Sequence, residues 1–328
     1  MSTKPTLLLP DEYLHDATLA INQAKKRVVF TCMMLTDDLV TDKFVDALNK
    51  AALRGVKVEV AADVFTYGEL SGHFIPTKYF TKKTRETNQM ARNFKKNKVK
   101  FHWLGRFAYT PFTGRTHTKY CVVDDVVYSF GGVNLYDAGI SNIDYMLKIK
   151  NTALADALDK EYDRLVQADQ GRYASRSRYF DSPYGKVLVD GGIPMESLIY
   201  RRACKLTAES KEVLYISQYG PVGKLNRLLK KTDSHLYFNT LDQASPLSRL
   251  VIRLTLLLTR NKTLYKKDDY LHAKFMIFTM PDGTKIALTG SHNFANGGVI
   301  LGTREIALET KDKSIIKQLE KFYQDYVV

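Results

Sequence analysis

The spacing of apolar residues over the first 64 positions predicts two amphipathic helices, each followed by a buried strand. The first helix spans 11–26, with Asp11 as its cap, and leads into a strand over 28–34. The second helix spans 41–53 and leads into a strand over 56–64, where apolar and polar residues alternate. A strand, a helix and a strand in this order predict a parallel pair joined by a right-handed crossover.

A basic segment and a hairpin follow these elements. From Lys78 to Lys100 the chain holds nine lysine or arginine residues and one acid. This composition predicts a surface helix, whose charge either simply faces solvent or attracts a polyanion to a neighbouring site. A strand over 98–103 leads into an aromatic loop over 107–114, which either lines a substrate mouth or packs internally. Strands are then predicted over 120–123 and 126–130.

The same order of elements starts again in the second half of the chain. A helix over 151–167 closes the first half, and the polar segment after it predicts a boundary. We expect an N-terminal half over 1–170, a linker over 171–185 and a C-terminal half over 186–328. In the second half the pattern predicts helices over 195–210, 222–231, 247–260 and 314–326, and strands over 212–217, 235–238, 285–288 and 305–308, besides strands around His272.

The helix predicted over 247–260 is apolar beyond a single stripe. Leucines and a valine lie on one side, and Arg249, Arg253 and Arg260 lie on the other. Such a helix either faces the core or lies in a membrane interface with its arginines at the lipid headgroups. The helical spacing fits both interpretations.

The segment from Thr116 to Asn134 combines residues that suit the handling of an anion. His117 and Lys119 are two positions apart, so in a strand they would point to the same face. An apolar run, a turn at Asp124, a returning strand and two glycines then lead to Asn134. A nucleophile or proton carrier, a fixed cation and a neutral amide donor would thus converge at one point.

The pattern recurs from His272. Lys274 again follows the histidine by two positions, an apolar strand comes next, and Ser291 and Asn293 close the segment. Thr279 stands where the first copy has its aspartate. The strand between His272 and Thr279 carries that position away from the histidine, which predicts that the aspartate of the first copy shapes a turn and takes no part in catalysis.

Both segments resemble the HxKx4D signature of the phospholipase D superfamily, with its trailing Gly-Gly/Ser-x-Asn. The first copy fits in full, whereas the second has Thr279 in place of the signature aspartate. Within the superfamily the chain most resembles the cardiolipin synthase and phosphatidyltransferase branch. The resemblance covers most of the chain. It implies an α/β fold of two similar α-β-α sandwich halves, with mixed, largely parallel sheets, related by a pseudo-twofold axis.

The resemblance also implies phosphodiester exchange through a phosphohistidine. His117 would be the nucleophile and His272 the general acid and then base, while the residues alone allow either assignment. Asp144 and Glu305 look like the acidic partners that hold the opposite half's histidine ring in the correct tautomer. The full expected set comprises catalytic His117, Lys119, Asn134, His272, Lys274 and Asn293, with Asp124, Asp144, Ser291 and Glu305 in support.

The most informative feature of the amino-acid composition is its net charge. The formal net charge of +14 predicts attraction to polyanions, either nucleic acid or an anionic lipid surface. Three cysteines lie far apart, which argues against zinc and against a disulfide framework and fits a reducing compartment. No carboxylate or histidine cluster has ligand spacing, so we expect neither a metal nor another cofactor.

The leading hypothesis is a cardiolipin synthase-like phosphatidyltransferase that acts on anionic phospholipid as a monomer with a pseudo-twofold active site. The sequence shows no signal peptide and no apolar run long enough to span a bilayer, so we expect a cytoplasmic, peripherally membrane-associated protein. The first alternative is a phospholipase D-family endonuclease or phosphodiesterase that acts on nucleic acid. The second is a non-catalytic polyanion-binding protein, an interpretation that rests on Thr279.

Overall fold

A computed structural model of the protein describes residues 4–71, 81–105, 113–243 and 246–328. Within these residues the chain forms two compact units, each built on one seven-stranded mixed sheet. The first unit runs to Ala174, except that the short segments 130–132 and 142–144 belong to the second unit with the residues from Ser175 onward. Most of the predicted aromatic loop lies outside the described residues, as does the start of the basic segment.

The first unit contains the strands β1 Thr6–Leu8, β2 Arg27–Cys32, β3 Lys57–Asp63, β4 Lys100–Leu104, β5 Tyr120–Val123, β6 Val126–Ser129 and β7 Met146–Lys150. Its helices are α1 Pro10–Gln23, α2 Asp42–Leu53, α3 Phe65–Ser71, α4 Lys82–Lys96, α5 Asp137–Ile140 and α6 Thr152–Gln170. The strand order across the sheet is β1-β7-β6-β5-β2-β3-β4.

The second unit contains the strands β8 Arg178–Ser182, β9 Gly185–Gly191, β10 Glu212–Ile216, β11 Asp233–Tyr237, β12 Phe275–Thr279, β13 Lys285–Gly290 and β14 Arg304–Thr310. Its helices are α7 Leu198–Glu209, α8 Gly223–Leu229, α9 Pro246–Thr259, α10 Asn296–Leu301 and α11 Lys313–Phe322, which continues as a π-helix over Tyr323–Val327. The strand order is β11-β10-β12-β13-β14-β9-β8. Strand β8 lies inside the segment that was predicted as a linker.

Side-chain alternation places helices on both faces of the first sheet. Phe30 of β2 packs against Phe44 of α2, with ring centroids 5.2 Å apart. Phe30 pairs with Cys121 of β5, so the next residue back, Tyr120, points to the opposite face. There its hydroxyl donates to the carbonyl of Leu158 in α6 at 3.2 Å. The first unit is therefore an α-β-α sandwich, as expected.

The second sheet is covered in the same way. Phe275 of β12 packs against Phe322 of α11, with ring centroids 6.3 Å apart. The next residue, Met276, is buried on the other face in a core cluster that includes Ala203 of α7. The second unit is thus also an α-β-α sandwich.

The mixed character of the sheets is confirmed, but the expectation that they are largely parallel is wrong. Among the described strands, only β2–β3, β3–β4 and β10–β11 pair in parallel, and the other neighbours are antiparallel. The reason is local: β5 returns as β6 and β12 returns as β13 through tight turns. A tight turn joins antiparallel strands, whereas a parallel pair needs a long crossover.

The basic segment forms the predicted surface helix, α4. Its buried positions follow helical spacing at Thr84, Thr87, Met90 and Phe94, and its lysines and arginines are exposed. No helix within the described ranges combines the length and the apolar character that crossing a membrane requires.

Candidate active site

The first motif lies at the start of β5 in the first unit. His117 and Lys119 precede the strand, so they are not on one strand face as expected. Instead, Nζ of Lys119 donates to the main-chain carbonyl of His117 at 2.9 Å. Because the lysine is only 2% exposed, this contact fixes its charge beside the histidine.

The second motif repeats this local geometry in the second unit. Lys274 is 1% exposed, and its Nζ donates to the carbonyl of His272. Both residues again precede the strand, here β12. The lysine of each motif is therefore a buried, fixed cation held by the main chain of its own histidine.

A carboxylate fixes the ring of His272. Nδ1 of His272 lies 2.6 Å from Oδ2 of Asp144, which is completely buried. The other oxygen of Asp144 accepts a hydrogen bond from the N–H of Gly132 at 3.1 Å. Because a carboxylate only accepts, the imidazole donates from Nδ1 and keeps Nε2 for reaction. This is the contact that the family resemblance implies for Asp144.

The main chain brings Asp144 to the ring. The preceding residue, Ile143, donates from its N–H to the carbonyl of Tyr270 at 3.0 Å. Its own carbonyl accepts from the N–H groups of His272 and Ala273, both at 2.9 Å. This short ladder aligns the two segments, so that the carboxylate follows directly after the point of contact.

Glu305 occupies the corresponding place after the second motif. It is 3% exposed and accepts a hydrogen bond from Oγ of Ser291. The N–H of Ile306 in turn donates to this hydroxyl oxygen at 3.0 Å. Ser291 thus supplies to Glu305 the donor that the main chain of Gly132 supplies to Asp144.

Asn134 and Asn293 are both buried, at 5% and 9% exposure. Within the described residues, the side-chain oxygen of each has no hydrogen-bond donor. The main chain of Asn293 is nonetheless fixed, because Oγ of Ser217 donates to its carbonyl at 2.8 Å. A buried amide with an unmatched oxygen costs about 1–3 kcal/mol, and such groups are typical of sites that bind a ligand.

Asp124 shapes a turn, as the sequence predicted. It adopts φ +52°, and its carboxylate accepts hydrogen bonds from the N–H groups of Lys25, Lys26 and Arg27 at 2.8 to 3.0 Å. In the second unit the N–H of Lys211 donates at 2.8 Å to the main-chain carbonyl of Thr279. Any residue supplies that carbonyl, so the loss of the aspartate at this position leaves the connection intact.

We expect Asp124→Ala to lower the free energy of unfolding by about 1–2 kcal/mol at pH 7, because it removes an acceptor for three main-chain donors. Burial raises the pKa of Asp124, but the three N–H donors outweigh it and hold the pKa below its usual value. The stabilisation is therefore present above the unfolded pKa, about 3.9, and is lost as the pH falls through the folded pKa.

Urea unfolding at pH 7 and at pH 3 measures this difference. The difference in the free energy of unfolding between wild type and Asp124→Ala should be smaller at pH 3 than at pH 7. The kcat per folded molecule should be the same in both proteins. A large loss of kcat in the folded variant would instead assign Asp124 to the chemistry.

Gly132 has no room for a side chain. A Cβ at this position would lie 2.7 Å from Oδ2 of Asp144 and 2.9 Å from Nζ of Lys274. Both groups are buried and fixed, so neither can move away without disturbing His272. The glycine therefore allows the carboxylate and the lysine of the site to approach the main chain.

We expect Gly132→Ala to lower kcat about 100-fold, because it displaces Asp144 from the histidine ring. Gly297→Ala is the matched control, since a Cβ there meets nothing within 4 Å. It should keep kcat and leave stability unchanged or slightly raised. Steady-state kinetics with both folded variants tests this, and an unimpaired Gly132→Ala enzyme would show that the site tolerates movement of Asp144.

The sequence did not single out two buried residues that contact the motif segments. Asp63, at the end of β3, accepts a hydrogen bond from the N–H of Thr116, and Asn239, after β11, accepts one from the N–H of Leu271. Each partner immediately precedes a motif histidine. In the sequence, only a position at or just after the end of a strand marks them, which is too common a feature to single them out.

A family profile described as "Cardiolipin synthase, PLD-like domain", where PLD stands for phospholipase D, matches residues 18–166 and 233–326. These segments make up well over half of the chain, and each contains one histidine motif. The chain belongs to the phospholipase D-like family. The expectation of a phospholipase D-type enzyme is thereby confirmed at the level of the family.

Curated relatives match about half of this phospholipase D-like chain. Cardiolipin synthase B of Salmonella typhimurium is 29% identical over 161 residues, which are 47% of this chain and 36% of that protein. The same protein of Salmonella typhi gives the same identity over the same length. The matched region thus spans little more than a third of these curated relatives.

Solved structures support the fold of the phospholipase D-like chain. Phosphatidylserine synthase of Haemophilus influenzae superposes with a TM-score of 0.73 at 13% identity, covering 99% of this chain and 87% of that one. Polyphosphate kinase of Porphyromonas gingivalis gives a TM-score of 0.63 at 11% identity, covering 97% of this chain and 49% of that one. At these identities the likeness concerns the fold alone.

Proposed function

We propose that this chain is a phosphatidyltransferase of the cardiolipin synthase type, which passes a phosphatidyl group through a phosphohistidine to an alcohol. The observation that carries the proposal is the Asp144–His272 contact, together with the buried ammonium of Lys274 beside the same carboxylate. A histidine fixed at Nδ1 next to a buried cation suits proton transfer at a phosphate. The relatives named for cardiolipin synthase support the choice of a lipid phosphodiester.

In the first step a ring nitrogen of His117 attacks the phosphorus and forms an N–P bond. The bond from phosphorus to the leaving oxygen breaks, and that oxygen takes the Nε2 proton of His272, which enters this step as the imidazolium with its Nδ1 proton held by Asp144. We propose that Lys119 and Lys274 neutralise the non-bridging oxygens as charge develops on them, and that the amides of Asn134 and Asn293 donate hydrogen bonds to them.

In the second step the roles reverse. Neutral His272 accepts the proton of the incoming alcohol, whose oxygen attacks phosphorus and displaces His117. Asp144 stabilises the protonated ring of His272 in both steps. We propose that Glu305 does the same for His117, because it stands in the corresponding place after the second motif and is buried.

Incubation with phosphatidylglycerol vesicles, and separately with CDP-diacylglycerol and an alcohol, tests the proposal. Transfer of the phosphatidyl group, seen as cardiolipin or as another phospholipid by mass spectrometry, is the expected result. Cleavage of single-stranded DNA without any lipid product would favour the nuclease alternative, which the +14 charge and the exposed cations of α4 support. Binding of either polyanion without turnover would favour the non-catalytic alternative.

We also propose that the protein attaches peripherally to anionic membranes through α9. Ile252 of this helix is buried, whereas Leu250 and Leu257 are 53% and 69% exposed. Arg249 and Arg253 are exposed and lie next to Leu250 and Leu257 around the helix axis, and Arg260, which directly follows the helix, is exposed as well. The two leucines thus lie beside the arginines, although the sequence grouped them on the opposite side. Exposed leucines flanked by arginines suit an interface of acyl chains and anionic headgroups.

Replacing Arg249, Arg253 and Arg260 together with glutamine should weaken binding to anionic vesicles about 100-fold, at about 1 kcal/mol per arginine. Binding to neutral vesicles should change little. Leu250→Ser/Leu257→Ser should also weaken vesicle binding. Its matched control is Leu53→Ser, which alters an equally exposed leucine of α2. Co-sedimentation at physiological salt measures both effects, and equal binding by all of these variants would rule out α9 as the contact.

A further inference from the structure

A contact that both units repeat lies outside the groups assigned to the chemistry. In the first unit Asp63 is the last residue of β3 and is completely buried. Its Oδ2 accepts a hydrogen bond at 2.8 Å from the N–H of Thr116, the residue before His117. A buried side chain on one strand thereby holds the main chain that carries the histidine of another segment.

In the second unit Asn239 makes the corresponding contact. It follows β11 by two residues and is also completely buried. Its Oδ1 accepts a hydrogen bond at 2.9 Å from the N–H of Leu271, the residue before His272. Strands β3 and β11 each pair in parallel with the strand beside the motif hairpin, so the two positions match.

The two contacts differ in charge. Asp63 also accepts from Nη1 of Arg115 at 2.9 Å and from the N–H of Phe65 at 2.8 Å. Arg115 is itself only 7% exposed and donates to the carbonyl of Gly105 as well. The first unit thus holds its histidine segment with a buried ion pair whose carboxylate acts purely as an acceptor.

Asn239 acts as a donor as well as an acceptor. Its Nδ2 donates to the carbonyl of Leu271 at 2.7 Å and to the carbonyl of Gln218 at 3.0 Å. One amide therefore holds both the N–H and the carbonyl of Leu271. A carboxylate could accept from the N–H but would repel the two carbonyls.

We propose that Asp63 and Asn239 are positioning residues, each of which fixes the peptide before a motif histidine and so sets the direction in which that ring meets the phosphorus. The kinetic part of this inference rests on the proposed function. His272 is also held by the carbonyl of Ile143, by Nζ of Lys274 and by Asp144, so releasing Leu271 would remove the anchor that lies just before the histidine. A displacement of about 1 Å in such a group costs about 100-fold in rate.

Exchange between aspartate and asparagine should be tolerated at position 63 but not at position 239. Asp63→Ala should lower kcat about 100-fold, whereas Asp63→Asn keeps an oxygen for Thr116 and should stay within about 10-fold of wild type. Asn239→Ala and Asn239→Asp should both lower kcat about 100-fold, because the aspartate cannot donate to either carbonyl. KM should change little in all four variants, since neither residue contacts the substrate.

Two control variants distinguish a loss of positioning from a loss of stability. Glu59→Gln alters a carboxylate of the same strand β3 that is 2% exposed and binds Lys57 and Lys100. Asn226→Ala alters a buried asparagine of α8, which accepts from Asn261. Both should reduce stability without reducing kcat per folded molecule. If Asp63→Asn unfolds, the double variant Asp63→Asn/Arg115→Gln replaces it in this test. The second substitution removes the charge of the arginine that would otherwise lack its ion-pair partner.

Nitrogen NMR of the imidazole rings gives a readout that needs no turnover. In its neutral form, wild-type His272 should carry its proton on Nδ1, and Asn239→Ala should give a mixture of tautomers. Asp63→Ala should likewise shift the ring signals of His117. Alanine variants that fold with wild-type kcat and unchanged ring signals would overturn the inference. If wild type transfers no phosphatidyl group, the proposed function fails, and the ring signals alone decide on Asp63 and Asn239.

Discussion

His117→Ala should lower kcat for phosphatidyl transfer at least about 10⁴-fold, and His272→Ala about 10²- to 10⁴-fold. The first change removes the nitrogen that would form the bond to phosphorus. The second removes the proton donor, and a substrate with a good leaving group partly replaces that function. The two variants should therefore differ most with an activated substrate such as a p-nitrophenyl phosphodiester.

A comparison of product release with both substrates measures this difference. His272→Ala should release p-nitrophenol in a single burst and then stall, because no base activates the second alcohol. His117→Ala should give no burst. The opposite pattern would exchange the roles of the two histidines, and a fully active His117→Ala enzyme would refute the phosphohistidine route.

Asp144→Asn should lower kcat about 10⁴-fold while KM stays nearly constant. The carboxylate holds the Nδ1 proton of His272 at 2.6 Å and is itself completely buried, so no solvent molecule takes its place. An amide nitrogen at the same position would instead favour the tautomer with its proton on Nε2. The ring would then present the wrong group to the reaction while the geometry stayed almost unchanged.

Glu309→Gln is the control for this change. Glu309 lies on β14 in the same unit and forms an ion pair with Arg202 at 2.6 Å. Its replacement should affect stability alone. If Asp144→Asn retained kcat within about tenfold of wild type, His272 would not depend on the carboxylate, and the role assigned to it would be wrong.

Local patterns in the sequence predict much of the fold. Helices α1, α2, α6 and α7 follow the apolar spacing, and their ends lie within a few residues of the prediction. Their amphipathic faces are long enough for the periodicity to be clear. Short elements gave no such signal: β1 has three residues and α5 has four. Strand β8 gave no apolar pattern in the sequence, because its residues are only partly buried and lie in a polar segment.

The residues of the candidate site were likewise predicted only where a local pattern encodes them. His117, Lys119, His272 and Lys274 were found because each pair is encoded within three residues and the pattern occurs twice. The Asp144–His272 contact came from the family resemblance, since 128 positions separate the two residues. Asp63 and Asn239 were missed because their partners lie 53 and 32 positions away, and no local pattern records such a hydrogen bond.

Trapping the covalent intermediate is the most direct test of the phosphohistidine route. The enzyme should be mixed with a phosphatidyl donor, quenched within milliseconds at alkaline pH, where phosphohistidine survives, and digested for mass spectrometry. We expect the phosphatidyl mass on the peptide that contains His117, increased in His272→Ala and absent from His117→Ala. Turnover of the donor with no adduct on either histidine in any of these proteins would contradict the phosphohistidine route.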